Sequence, residues 1–225
     1  MSYLSTLVPN QLSNIYTMVG RMDKFGITNN YAKAAILAVV SKESGFIPKS
    51  ETSYKNTSNK RIREIFGTRV PSDDASLDLL KRNDESFFNA VYGGRYGNSP
   101  TEGYKYRGRG YNQLTFKGNY ESVAKLIKTD IVSNPDLVNK PDVAADVMIA
   151  YFLREFNSTA GKLYLSSKGI KDINDFKSTE EALNAIFQAN RGWGKTGPDT
   201  TGGYALAASR VDDLIELVGN IKKKK

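Results

Sequence analysis

Apolar residues recur at three- and four-residue spacing in one segment after another of this chain, and the alternation that marks a strand is scarce. That periodicity confines the chain to packed helices. Leu12, Ile15 and Val19 form a stripe in a first segment running from Leu4 to Met22. A second helix is expected from about Tyr31 to Ser44, where Ile36 and Val40 lead to Glu43 along one face and Gly45 offers a stop. NKRIREIFG reads as a short helix, and SLDLLKRNDESFFNAVYGG as a longer one with a double-glycine stop. The text is helical again from Asn119: NYESVAKLIK, then a turn and a long helix in NPDLVNKPDVAADVMIAYFLREF, then STEEALNAIFQANRG capped by Ser178 or Thr179, then YALAASRVDDLIELVGNI. The expected fold class is mainly α. The expected organisation is a single helical domain of two lobes over residues 1–225, with a short basic tail at 221–225.

Composition narrows the chemistry. A chain of 225 residues with 40% hydrophobic content can bury a sizeable core. The absence of cysteine removes disulfides, thiolate catalysis and cysteine-bound zinc, and the absence of histidine removes the Ser-His-Asp pattern and most familiar metal sites. Chemistry is left to carboxylates, hydroxyls, amides and lysine, and neither a metal nor a cofactor is expected. The formal charge is +8, with four of the positive charges in the run Lys222 to Lys225, so the body is mildly basic and suits any polyanion. The first twenty residues lack a basic leader followed by a long apolar run, and AAILAVV is too short to span a bilayer. The expectation is a soluble monomer made in the cytoplasm without a signal peptide, with no stable membrane insertion.

Two segments concentrate polar chemistry: KESGFIPKSETSY (Lys42 to Tyr54) and YRGRGYNQLTFKGNY (Tyr106 to Tyr120). Glu43 continues an apolar helix face near the helix C-terminus, and both circumstances disfavour its charged form, as a general acid requires. The plainer alternative is a glutamate that ends a helix and pairs with Lys42 or Lys49. Glu51 follows eight residues on, beyond Pro48, among the hydroxyls of Ser50, Thr52, Ser53 and Tyr54 that would keep a base hydrated. Paired carboxyls of this kind are what glycoside hydrolysis needs. The alternative for Glu51 is an exposed loop acid beside Lys49 or Lys55, and Glu64, Asp73, Asp74 or Glu102 could replace it in the pair.

In the second segment Gly108 and Gly110 permit close backbone approach, while Arg107, Arg109, Asn112, Gln113, Thr115 and Asn119 supply hydrogen bonds. Tyr106, Tyr111 and Tyr120 supply aromatic faces. Flat apolar faces plus amides suit acetamido sugars, with Gln113 and Asn119 as preferred contacts and Thr115 as an orienter of water. The alternative is a loop that packs the fold together, with Gln113 bridging backbone groups. Single-stranded nucleic acid also uses arginine and aromatics, but the ordered Leu-Thr-Phe continuation argues against it, and no phosphate-loop pattern is present. A third cluster, FQANRGWGKTGPDTTGGY, places Asn190 where an apolar helix runs out, near Trp193, which is read equally as a sugar platform or a packing anchor.

ESGF with Glu51 downstream, then YRGRGYNQLTFKGNY, then the Ala-Asn-Arg-Gly stretch around Asn190, resembles glycoside hydrolase family 19, and within it the phage and prophage endolysins rather than the plant chitinases. The likeness reaches from about residue 30 to 215. It implies a bilobal, lysozyme-like helical fold with a substrate cleft, and an inverting, metal-free attack on the β-1,4 linkage of peptidoglycan or chitin. Through the resemblance Glu43 falls on the general acid and Glu51 on the carboxylate that activates water. Thr115 takes the place of the serine or threonine that helps hold this water. Gln113, Asn119 and Tyr120 match substrate-contacting positions, as does Asn190, with Tyr54, Arg107 and Tyr111 as further expected contacts. Arg191 stands where the family commonly has glycine. The short spacing of the carboxylates favours peptidoglycan strands as partner, with unspecific attraction to anionic wall polymers. An endolysin of this kind would act on the wall after release from the host bacterial cytoplasm, or travel in a phage virion. A chitinase, a lytic transglycosylase that dispenses with Glu51, and a noncatalytic wall-binding protein are the competing readings.

Overall fold

The computed structural model describes residues 2–193 and 202–223, with only the backbone of residues 222 and 223. Ten α-helices run in chain order among these residues: α1 (Pro9–Lys24), α2 (Asn30–Ser44), α3 (Asn59–Phe66), α4 (Asp74–Leu80), α5 (Asp84–Tyr92), α6 (Lys117–Ile127), α7 (Pro141–Asn157), α8 (Thr159–Ser167), α9 (Thr179–Arg191) and α10 (Gly203–Lys223). The mainly α class read from the periodicity is what the chain adopts. Pairing of the extended kind is confined, among the described residues, to an isolated antiparallel bridge between Arg109 and Leu114. The lysines at 222–225 and the stretch 194–201 of the third polar cluster lie outside the described side chains.

The chain divides into two compact units. The first, Met1–Pro48 with Lys140–Lys225, contains α1, α2 and α7 to α10. Its centre is α2, which is buried continuously from Ala32 to Ser41. A helix apolar on every side must be covered on every side, and α9 and α10 pack against it while α1 pairs with α7. Asn29 caps α2 by accepting the Ala32 N–H at 3.0 Å. Inside this packing Lys33 is wholly buried and its ammonium pairs with Asp23, and Arg21 of α1 pairs with Asp146 of α7.

The second unit, Lys49–Asn139, contains α3 to α6. Ile62 and Phe66 of α3, Leu77 of α4, and Phe87, Phe88 and Val91 of α5 make its core, with Tyr54, Tyr92 and Tyr104 on the rim. The Tyr54 ring lies 5.1 Å from both Phe66 and Phe87.

Three boundaries differ from the periodic reading. The first segment is a short 3-10 turn, Tyr3–Thr6, followed by a helix that starts at Pro9, because proline lacks an N–H and suits the first helical position. The longer helix expected after Ser76 is two, α4 and α5, since Asn83 turns its side chain to accept the Ser86 N–H at 2.8 Å and begins a new helix. An additional helix, α8, is capped by Ser158, whose hydroxyl accepts the Gly161 N–H at 3.0 Å.

Candidate active site

Each unit holds one of the two expected carboxyls. In the first, α2 ends at Gly45, which takes the left-handed conformation at φ 57°, and Phe46 follows in the same region at φ 62°. A phenylalanine is held there only when its surroundings fix it. Its ring is wholly buried, its carbonyl accepts from Asn14 Nδ2 at 2.8 Å, and the Gly45 carbonyl accepts from Gln11 Nε2 at 2.8 Å. The helix end that carries Glu43 is therefore anchored by α1.

The Glu43 side chain is 33% exposed. Its Oε1 accepts from Asn190 Nδ2 at 3.1 Å and from Lys42 Nζ at 2.9 Å. The Lys42 pair foreseen in the plainer alternative is thus present, although an exposed pair of this type contributes only about 0–1 kcal/mol and leaves the carboxyl accessible. Asn190 reaches Glu43 from the last turn of α9, where Tyr151 of α7 donates to the Ala189 carbonyl at 3.0 Å. Burial, then the charge of Glu155, with a further contribution from Glu43, pushes the Tyr151 phenol up to about 12, so it stays a donor. Trp193, left open between platform and anchor, serves as an anchor: its Nε1 donates to the Glu155 carbonyl at 3.1 Å and its ring meets Phe156 at 5.3 Å and Tyr164 at 5.0 Å.

In the second unit Glu51 sits in an irregular segment yet is held at its backbone N–H and at both carboxylate oxygens. Its N–H donates to the Gly108 carbonyl at 2.8 Å. Its Oε1 accepts from the Tyr54 and Tyr92 hydroxyls at 3.0 and 2.9 Å, and its Oε2 from the Gly108 N–H at 3.3 Å. Three donors and no acceptor is the surrounding an ionised carboxylate can satisfy. Burial first, then the charge and hydrogen bond of Glu51, raise both phenols well above their ordinary value. A Cβ on Gly108 would lie 2.7 Å from Gln113 Oε1 and 3.3 Å from Glu51 Oε2, so a larger residue there would displace the Gln113 side chain and press on the Glu51 carboxylate. Tyr54 is thus a support for Glu51, its ring packed in the aromatic core and its hydroxyl engaged.

The glycine-rich loop closes on the Arg109 to Leu114 bridge, with Gly110 at φ 80° and Gln113 at φ 53° making the turn. Gln113 is exposed, and its amide nitrogen bridges the Lys49 carbonyl at 3.0 Å and the Gly110 carbonyl at 3.3 Å. Thr115 Oγ1 donates to the Gln113 carbonyl at 2.8 Å, which leaves its oxygen as an acceptor. Asn119 is exposed and donates to the Thr115 carbonyl at 2.8 Å. Arg107 lies over the Tyr104 ring at 4.0 Å and donates to the Tyr104 carbonyl at 2.9 Å.

Tyr106, Tyr111 and Tyr120 do not offer the faces expected of them. All three are buried, Tyr111 and Tyr120 completely, so they build the loop and cannot stack on a ligand. The physical reason is that a loop with so few backbone pairs orders itself on an internal aromatic layer: Tyr106 and Tyr120 rings lie 5.3 Å apart, and the Tyr120 hydroxyl donates to the Arg107 carbonyl at 3.1 Å. Arg109 is buried with them, joining Asp136, the Lys105 and Arg107 carbonyls and the Tyr120 hydroxyl.

The other candidate acids have structural employment. Glu64 pairs with Arg61, Asp74 with Arg63 and Glu102 with Lys117, and Asp73 caps α4. Tyr92 was missed in the sequence. Its signal was the Phe88, Val91, Tyr92 spacing, which puts it on the core face of α5 with its hydroxyl at the rim. Among the described residues no group of three or more His, Cys, Asp or Glu side chains is placed to hold a metal ion, and no helix is long and apolar enough to cross a membrane.

A family model described as Chitinase class I, glycoside hydrolase 19, matches residues 82–161, which include the whole Tyr106–Tyr120 loop. A Haemophilus influenzae protein named Glycosyl hydrolase family 19 domain-containing protein is 28% identical over 177 residues, 75% of this chain and 87% of the relative. The Acidic 27 kDa endochitinase of Solanum lycopersicum is 25% identical over 221 residues, 96% of this chain and 81% of the relative.

Proposed function

We propose that the chain is a glycosidase of glycoside hydrolase family 19, as its similarities suggest, and that it is an endolysin-type lysozyme that cleaves the β-1,4 bond between N-acetylmuramic acid and N-acetylglucosamine in bacterial peptidoglycan with inversion. Glu43 gives its carboxylic proton to the glycosidic oxygen as the bond to the anomeric carbon breaks. Glu51 takes a proton from a water whose oxygen attacks that carbon from the opposite face, so Glu43 ends ionised, Glu51 ends protonated, and exchange with solvent restores both. Thr115, whose hydroxyl hydrogen is already committed to the Gln113 carbonyl, accepts a hydrogen bond from this water. Asn190 holds the Glu43 carboxyl at its working rotamer. Gln113 and Asn119, both exposed, offer amide groups to the acetamido sugars beside the half-buried Arg107.

The observation that carries this reading is the grip on Glu51. Two phenols and a backbone amide converge on a carboxylate in a segment with no regular structure, and such a constellation fixes a reacting group more firmly than it stabilises a loop. The short chain between the two acids and the net charge of +8 favour an anionic wall polymer over neutral chitin, through an attraction that salt screens. In this reading the enzyme is made in a bacterial cytoplasm and reaches the wall on release or within a virion. The Solanum relative, spanning 96% of the chain, favours chitin as a second substrate.

Purified peptidoglycan and N-acetylglucosamine oligosaccharides, digested in heavy-oxygen water and followed by mass spectrometry, test the assignment. The expected result is label at reducing N-acetylmuramic acid ends, lost with Glu43→Gln. Anhydro ends would make the chain a transglycosylase, cleavage confined to the oligosaccharides would make it a chitinase, and intact polymers would leave only binding.

A further inference from the structure

Arg95 and Tyr96 lie in the turn after α5 and take no part in the chemistry above. Tyr96 is 68% exposed, yet its backbone is held in the left-handed region at φ 44°. A residue with a Cβ stays there only when its surroundings over-determine it. Here the Tyr96 carbonyl accepts the Gly118 N–H at 3.0 Å, and a Cβ on Gly97 would come 3.0 Å from the same nitrogen. Buried Asn98 donates to the Tyr92 carbonyl at 2.9 Å and accepts the Lys117 N–H at 2.8 Å. A large ring is thereby held out in water by a rigid turn, where Tyr106, Tyr111 and Tyr120 fold inward.

The exposed ring is also connected. Tyr96 meets Phe116 edge-on at 4.8 Å, Phe116 meets Tyr92 at 5.3 Å, and Tyr92 donates to Glu51. Phe116 directly follows Thr115. The Arg95 guanidinium lies over both outer rings, 5.4 Å from Tyr96 and 5.8 Å from Phe116, and donates to the Val91 carbonyl at 3.5 Å. Among the described residues no carboxylate forms an ion pair with it.

We propose that Arg95 and Tyr96 form a binding subsite for the glycan strand, Tyr96 stacking on an N-acetylated sugar ring and Arg95 meeting a carboxylate borne by that strand. The proposal rests on the glycan-hydrolase reading and deepens it, because a muramyl strand carries carboxylates and chitin carries none. Arg95 is then a point at which the two polymers are told apart.

Calorimetric titration of the full chain carrying Glu51→Gln, which suppresses cleavage during the measurement, tests this with three probes: an N-acetylglucosamine oligosaccharide, muramyl glycan stripped of peptide so that its lactyl carboxylates are free, and glycan with its peptide stems. Tyr96→Ala is expected to weaken all three about three- to tenfold, with Tyr96→Phe close to the parent. Arg95→Gln is expected to weaken only the carboxylate-bearing probes, about two- to fivefold, with the difference vanishing at high salt. A loss on stripped glycan assigns the lactyl carboxylate as the partner, and a loss confined to stem-bearing glycan assigns the stem. Binding unchanged by either substitution, or no binding to the parent, overturns the subsite, and an equal loss on all three with Arg95→Gln overturns the role of its charge. A wild-type chain that binds but cleaves nothing would end the hydrolase reading and leave this result standing.

Discussion

At Glu51 two phenols share one carboxylate oxygen, and both are raised by burial and by that charge, so they remain hydrogen-bond donors far above neutral pH. Tyr92→Phe keeps the ring in the aromatic core and removes one donor. A hydrogen bond to a charged group contributes about 1.5–3 kcal/mol, so kcat should fall roughly ten- to a hundredfold with little change in KM. Glu51→Gln, which removes the proposed base, should cost about 10²- to 10⁴-fold. Steady-state kinetics on soluble glycan fragments separate these, and a Tyr92→Phe chain with raised KM and normal kcat would make the phenol a substrate contact instead. Glu43 and Glu51 could be singled out as candidates in the sequence because each stands out against its neighbours. Tyr92 was not, since it meets Glu51 across 41 positions and nothing local announces that pairing.

Among the elements, local chemistry was readable and tertiary choice was not. The Gly45 stop of α2 and the Ser178 cap of α9 follow from short-range rules, and the Ser178 hydroxyl does accept the Glu181 N–H at 3.1 Å. Ser178→Ala should lower unfolding free energy by about 1 kcal/mol in denaturant titration. Because Asn190 lies at the far end of α9, kcat should be little changed; a collapse of activity would mean that the whole helix shifts. The Asn83 break escaped the periodic reading because the apolar spacing continues across it. The inward tyrosines of the glycine-rich loop escaped it because burial in an irregular segment is decided by packing, not by period. Gly108→Ala belongs to the same scale. The added methyl would force Gln113 off its bridge to the Lys49 carbonyl, and kcat should drop by about tenfold or more while the helical circular dichroism is retained.

For the whole molecule, the mainly α class was legible because each helix carries its own period, whereas the division into Met1–Pro48 with Lys140–Lys225 and Lys49–Asn139 joins segments far apart in the chain. Stability at high pH reports on both units. Tyr54, Tyr92, Tyr120 and Tyr151 all have folded values above the ordinary 10.0, burial being the first cause in each. Above pH 10 the unfolded chain therefore releases protons that the folded chain retains, so the stability these groups contribute is fully present below 10.0 and is lost as pH rises through 10 toward about 12 and beyond. The urea midpoint should fall over that window, with the last phenols ionising as the chain unfolds; all thirteen tyrosines titrating together near 10, with the fold intact, would contradict it. The central claim is that Glu51 activates a water for a single displacement. Proton NMR of the first product released from a β-linked substrate tests it most directly: the account predicts the α-anomer, converting slowly to β by mutarotation, and a β-anomer formed first, or a product with no free reducing end, would contradict it.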